Sequence, residues 1–267
     1  MNAKLGPLAF AKLLREVKPG DTRPLAVAGM RELVPVLARE LRAGGDASAV
    51  VEGSVTGACA LVWVGDTDEN ALHDAWHAGI PIVAVSDEET LPYVLDTDIV
   101  RVQRGHGFPI EAIAAAVAKK LGNDGTALAA RLPVLRIAVC DELIESAARK
   151  NGMIGAAVFI PGVDMPVLTL NQARLVLRIA LAYGETVDQQ RLPELLGVLG
   201  AGFGLRAVAR ELLDVVPVAG WALKGGVAYG GTKAIGLAAV KYFEGISSRS
   251  SGVAGKGGKS EGQGQYT

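Results

Sequence analysis

Two histidines four residues apart, in the run His73-Asp-Ala-Trp-His77, have the spacing best suited to metal chemistry. On a helix that spacing puts both imidazoles on one face, as in the HExxH sequences that hold zinc. Here Asp74 stands where the general-base Glu would be, and the third histidine, His106, falls in a loop. No third ligand is evident. The preferred reading is a half-exposed helix face whose imidazoles meet solvent or nearby carboxylates, with no metal. A metal-dependent hydrolase using the His73/His77 pair is the alternative. Cys59 and Cys140 lack CxxC spacing, and two thiols alone cannot complete a tetrahedral site, so both read as small core residues.

A second group of residues lies where apolar runs end: Gly29, Asp66, Ser86 with Asp87, and Gly105 and Gly107 of the loop Arg104-Gly-His-Gly107. Ligands of parallel α/β sheets sit at the carboxyl ends of the strands, which makes these the ligand-binding candidates. A triphosphate would need G-x-x-x-x-G-K-[ST] after the first strand, so that backbone N–H groups and a Lys cradle the phosphates while a hydroxyl holds Mg²⁺. The sequence there is Gly29-Met-Arg-Glu-Leu-Val34. No cofactor and no catalytic residue are expected, and Arg31 and Asp87 read as solvated loop charges.

The elements that must position these residues alternate. Pro24 to Ala28, Ala60 to Val64, Pro81 to Val85 and Ile99 to Val102 are short apolar runs of the buried-strand type. Between and after them, Leu33 to Leu41, the stretch marked by Leu72, Ala75 and Trp76, and Ile110 to Leu121 carry apolar residues at helical spacing. Gly44, Gly79 and Gly122 end them. Strand and helix in alternation imply a mostly parallel sheet.

Over residues 24–122 this pattern resembles the distal half of an Era-like GTPase domain. The run ALVWVGDTDENALHDAWHAGIPIVAVSDEE looks like the strand, helix and strand that lead to the guanine-reading motif. DIVRVQRGHGFPIEAIAAAVAKKLG is similar to the last strand, loop and helix. The sequence departs from the family at the phosphate-binding loop, and Val85-Ser-Asp-Glu88 replaces Asn-Lys-x-Asp. The resemblance therefore implies a GTPase-like α/β domain without its nucleotide machinery.

In the second half, Pro133 opens a helix with Leu135, Val139, Leu143, Ile144 and Ala147 at helical intervals before Asn151-Gly152. Thr169 and Gln172 form a capping-box pattern for a helix ending at Gly184, and another helix starts near Pro193. A last helix reads from about Ala219 to Phe243. Ala222, Gly226, Gly230, Ala234 and Ala238 recur in it at every fourth residue, beside Trp221, and are read as a stripe for helix packing or an interface. Arg206 and Arg210, a turn apart, read as pairing with Glu211, Asp214 or helix ends.

Over about residues 150–244 the sequence, with Arg206, Arg210, Pro217, Gly220, Trp221, Thr232 and Tyr242-Phe243 in it, closely resembles the YcjF-type helical domain of unknown function. That resemblance implies a helical module found alone or after Era-like GTPase domains, often membrane-associated, with no established activity.

Hydrophobic residues make up 50% of the 267 and charged residues 21%, with a mean hydropathy of +0.30. No charge-free stretch noted in the second half reaches the ~18 to 20 residues of a spanning helix, and no secretion signal follows Met1. Residues 1–150 carry 16 basic and 20 acidic groups, against 8 and 6 in 151–243. That distribution argues against nucleic acid as partner.

The expected architecture is an α/β N-terminal domain with a mostly parallel sheet, like a degenerate P-loop GTPase, plus an all-α C-terminal domain. Its parts are an N-terminal helix or linker (1–23), the α/β domain (24–130), a bridging helix (131–152), a glycine-rich helical domain (153–244) and a disordered tail (245–267). The expected role is that of a bacterial pseudo-GTPase scaffold or adaptor. It would be cytoplasmic or held at the cytoplasmic face of the inner membrane, with a protein partner, a homo-oligomer contact or a membrane surface at its helical domain. A structural oligomer built on the small-residue stripe is a further alternative.

Overall fold

Five short strands, all parallel, form one sheet. They are β1 (Leu25–Gly29), β2 (Val50–Glu52), β3 (Ala60–Val64), β4 (Ile82–Ser86) and β5 (Ile99–Arg101), in the order β2-β1-β3-β4-β5. This computed structural model describes residue 13 and residues 15–103, 105–157, 164–186 and 220–254, with side chains at 13, 15–103, 105–156, 167–186 and 225–247. Arg104, the helix expected near Pro193, Arg206, Arg210 and Pro217 lie outside the described residues, as do the side chains of Trp221 and Ala222.

The four expected strands form within a residue or two of their apolar runs, and β2 is an addition. It has only three residues, with no apolar run longer than Val50-Val51 to announce it, and it is placed by pairing Leu25 with Val50. Helices α1 (Val34–Leu41), α2 (Glu69–His77) and α3 (Ile110–Leu121) fall where periodicity puts them. Asp68 starts α2 by accepting a hydrogen bond from the Ala71 amide at 3.1 Å, and Gly79 ends it at φ 68°. Trp76, expected on the buried face of α2, is 54% exposed; Leu72 and Ala75 alone are buried there.

Among the described residues, four more helices follow: α4 (Thr126–Arg131), α5 (Pro133–Ala157), α6 (Asp164–Ala182) and α7 (Gly220–Ala254). The described part of the C-terminal region is thus helical and adjoins the α/β layer. One contiguous cluster of buried residues joins Val27, Val62 and Val85 of the sheet to Ile113 and Val117 of α3. It continues through Leu135 and Val139 of α5 and Ile179 of α6 to Phe243 of α7. The opposite face of the sheet, with Ala26, Ala28, Leu61, Trp63 and Ala84, is covered by α2 and by Leu91.

Three expectations change for identifiable reasons. Helix α5 runs through Asn151-Gly152 instead of stopping there, because Asn151 is buried and hydrogen-bonded to its neighbours while Gly152 lets α7 approach. Helix α6 begins at Asp164, five residues before Thr169. Pro166 fits a first turn, and the Gln172 amide is committed to Thr232 at 3.3 Å, so no capping box forms. Helix α7 continues to Ala254 and takes in part of the expected tail; Ile246 packs against the core, and extending an existing helix costs little.

The seam of α7 also differs from the expected stripe. Gly225, Thr232, Gly236, Ala239 and Phe243 are its buried positions, with Gly225 3.0 Å from the Gly152 carbonyl oxygen when given a Cβ. Gly226 and Gly230 have no described atom within 4 Å of such a Cβ, and Ala234 and Ala238 are exposed. A strict every-fourth-residue repeat advances about 40° around the helix at each step, whereas a packing seam alternates threes and fours.

Candidate functional site

The strand order reverses between β1 and β3, and in doubly wound sheets of this order the ligand crevice opens there. In this protein the crevice is shut by the chain itself. Gly29 leaves β1 at φ 127°, a conformation that L side chains rarely adopt, and a Cβ on it would collide with the Val64 carbonyl oxygen. The turn this allows sends the Met30 amide back to that carbonyl at 2.8 Å. The Met30 carbonyl then accepts from Leu33 and Val34 at 3.0 and 3.1 Å. Met30 lies over Gly65, where an added Cβ would be 2.7 Å from the Met30 Cβ. The first amide after β1 is thus already used within the protein, and the Met30 side chain lies above Gly65.

The next strand ends are tied to each other. Ser86 is buried, and its hydroxyl accepts the Glu88 amide at 3.1 Å. The Glu88 carboxylate takes the Thr67 hydroxyl at 2.5 Å, joining the loop after β4 to the loop after β3. Gly105, at φ 86°, and Gly107 lie in the loop after β5, and neither has a described atom within 4 Å of an added Cβ.

Of the predicted ligand residues, Gly29 alone lines a groove among the described residues. This groove has a volume of about 570 Å³ and lies over the second face of β1, β2 and β3. Its floor is Ala28, Leu61 and Trp63, and Arg31, Glu52 and Asp74 stand at its rim. Asp66, Ser86, Asp87, Gly105 and Gly107 do not line it. The groove exists because β2 and β3 are joined by only seven residues, 53–59, with no helix in the connection. Parallel sheets ordinarily have both faces covered by the crossover helices. The Trp63 indole N–H donates to the Asp66 carbonyl at 3.1 Å, which fixes the largest side chain of the floor.

No family model, curated protein or solved structure matches the chain.

His73 and His77 do come together, with ring centroids 4.2 Å apart in an edge arrangement. They form part of an aromatic surface: His73 also meets Tyr93 at 5.1 Å, and Trp76 meets His77 at 5.0 Å and Tyr93 at 5.6 Å. His73 Nδ1 is 3.4 Å from Asp74, and no group of three or more metal-ligating side chains occurs among the described residues. Tyr93 is the sole non-glycine residue with positive φ among those described, at 62°. Pro92 precedes it, and the Val94 amide closes the turn onto the Leu91 carbonyl at 3.3 Å. That is the pattern of a type II turn with tyrosine at the position where glycine belongs.

The thiols offer no reactive centre. Burial pushes Cys59 up to about 11 and Cys140 up to about 12, so both stay protonated and inert at neutral pH.

Proposed function

We propose that this protein is a non-catalytic pseudo-GTPase scaffold: an α/β layer that recognises a protein, carried on helices that dock to a partner's helices or to a membrane surface. The observation carrying this reading is the Met30 turn. Where the resemblance to Era-like domains calls for a phosphate cradle, the first amide after β1 is bonded to Val64 and the Met30 side chain lies over Gly65. The Ser86-Asp87-Glu88 loop, in the place of the guanine-reading motif, is bonded to itself and to Thr67. Titration of the full-length protein with GTP and Mg²⁺ in a calorimeter tests the idea. No saturable heat is expected, and binding at micromolar affinity overturns it.

The docking role of the helices is supported by the resemblance to YcjF-type domains and by the outward row Gly226, Gly230, Ala234 and Ala238 on α7. Small side chains let a second helix approach closely. No helix among the described residues is long and apolar enough to cross a membrane. Cell fractionation with high-salt and carbonate washes tests this half. Release by salt supports a peripheral contact, and retention through carbonate argues for an embedded one.

A further inference from the structure

The surface of α2 and the turn after Leu91 carries three large apolar side chains that the fold leaves in solvent: Trp76 at 54%, Tyr93 at 40% and Leu95 at 67% exposure. Trp76 and Tyr93 touch at 5.6 Å with rings tilted by 38°, and His73 and His77 back them edge-on. Exposed tryptophan and tyrosine held rigid by neighbours are the side chains that dominate protein interfaces. The turn holds Tyr93 in a conformation that glycine would adopt more readily, so local folding does not account for the tyrosine.

The charge around these rings selects the partner. Residues 43–100 contain eleven Asp and Glu and neither Lys nor Arg. Among the described residues, cations from outside the stretch pair with Glu52, Asp46 and Asp98, through Arg42, Arg131 and Lys120. At the aromatic surface, Asp74 adjoins His73 and is 81% exposed, Asp96 adjoins Leu95, and Glu69 lies one turn before His73 on α2. Such a face repels phosphate, whether of nucleic acid or of an anionic bilayer, and attracts cations. A guanidinium suits it best, because its plane stacks on indole and phenol rings while its N–H fork takes carboxylates.

We infer that the face formed by Trp76, Tyr93 and Leu95, with Glu69, Asp74 and Asp96 around it, docks an arginine-rich segment of another protein. The inference is independent of nucleotide binding, since none of these rings lies at the end of β1.

The test uses the full-length protein and fluorescein-labelled peptides of about twelve residues with repeated Arg-Gly-Ser, Lys-Gly-Ser or Glu-Gly-Ser, followed by anisotropy. The arginine peptide is expected to bind several-fold more tightly than the lysine peptide, and the glutamate peptide not at all. Trp76→Ala should weaken the arginine peptide about tenfold or more. Tyr93→Gly, which places glycine where the turn favours it, should weaken binding while leaving the thermal unfolding midpoint nearly unchanged. The double variant Glu69→Gln/Asp74→Asn should flatten the salt dependence. Failure of the arginine peptide to bind overturns the inference. So does equal binding to wild type and Trp76→Ala, which would assign the affinity to diffuse charge.

Discussion

Gly29 and Gly79 both hold positive φ, 127° and 68°, yet a methyl group should cost them very different amounts. At Gly79 an added Cβ meets nothing within 4 Å, so Gly79→Ala should cost only the left-handed backbone penalty, about 1 kcal/mol. At Gly29 the Cβ runs into the Val64 carbonyl, and the β1 to β3 pairing must open. Gly29→Ala should cost about 3 kcal/mol or more, measured by urea denaturation of the pair. Asp46 carries a pH signature. Hydrogen bonds from the Ser48 hydroxyl and amide, followed by Arg131, hold its carboxyl at about 2 against an ordinary 3.8. Because the folded value is depressed, the stabilisation is complete above the unfolded value and is lost as pH falls through about 2. Carboxyl carbon NMR should show Asp46 titrating near 2, and Ser48→Ala should move it towards 3.8.

At the scale of the element, the seam between α5 and α7 separates glycines that look alike in the sequence. Gly236 sits against Ile144, whose Cγ1 would be 2.5 Å from an added Cβ, while Gly230 has open space among the described residues. Gly236→Ala should therefore destabilise, and Gly230→Ala should stabilise by up to about 1 kcal/mol through helix propensity. Thermal unfolding of the two variants decides it. Beside that seam lies a buried polar knot. The Asn171 side-chain amide donates to Asn151 Oδ1 at 2.9 Å; Asn151 Nδ2 donates to the Thr232 hydroxyl at 2.9 Å, as Gln172 Nε2 does at 3.3 Å. The hydroxyl donates in turn to the Ala228 carbonyl at 2.7 Å. Thr232→Val would leave two buried amide donors unmet, at about 2 to 4 kcal/mol in all. None of this was legible in the sequence, where Asn151-Gly152 reads as a helix stop and Thr169 with Gln172 as a helix start. Local rules describe an isolated helix, and these residues serve three packed ones. The strands were legible because fully buried parallel strands are unbroken apolar runs. The groove left a fainter trace: seven residues between Glu52 and Ala60 are too few to hold a crossover helix.

For the whole molecule, the decisive feature is that the sheet and the C-terminal helices share one continuous buried cluster, from Leu25 through Leu135 and Val139 to Phe243. A chain cut after residue 132 would expose the α5-facing sides of Ile113, Val117 and Leu121. Full-length protein should unfold in one transition, with far-UV circular dichroism and tryptophan fluorescence superimposable; two separated transitions would contradict the shared core. The outward row on α7 makes a separate prediction. Gly230→Leu should reduce the mass of any assembly made through that row, as read by light scattering, with the unfolding midpoint little changed. An unaltered mass removes the row from the interface.

The Met30 turn also limits what protein engineering can recover from this scaffold. Grafting a glycine, a lysine and a serine onto residues 34–36 would supply the motif of a triphosphate grip but leave the turn before it closed, because the residue-30 amide is held by Val64 whatever side chain it carries. Reviving such a grip would require a longer loop, with extra residues inserted after Gly29. Point substitution alone is expected to yield a protein as indifferent to GTP as its parent.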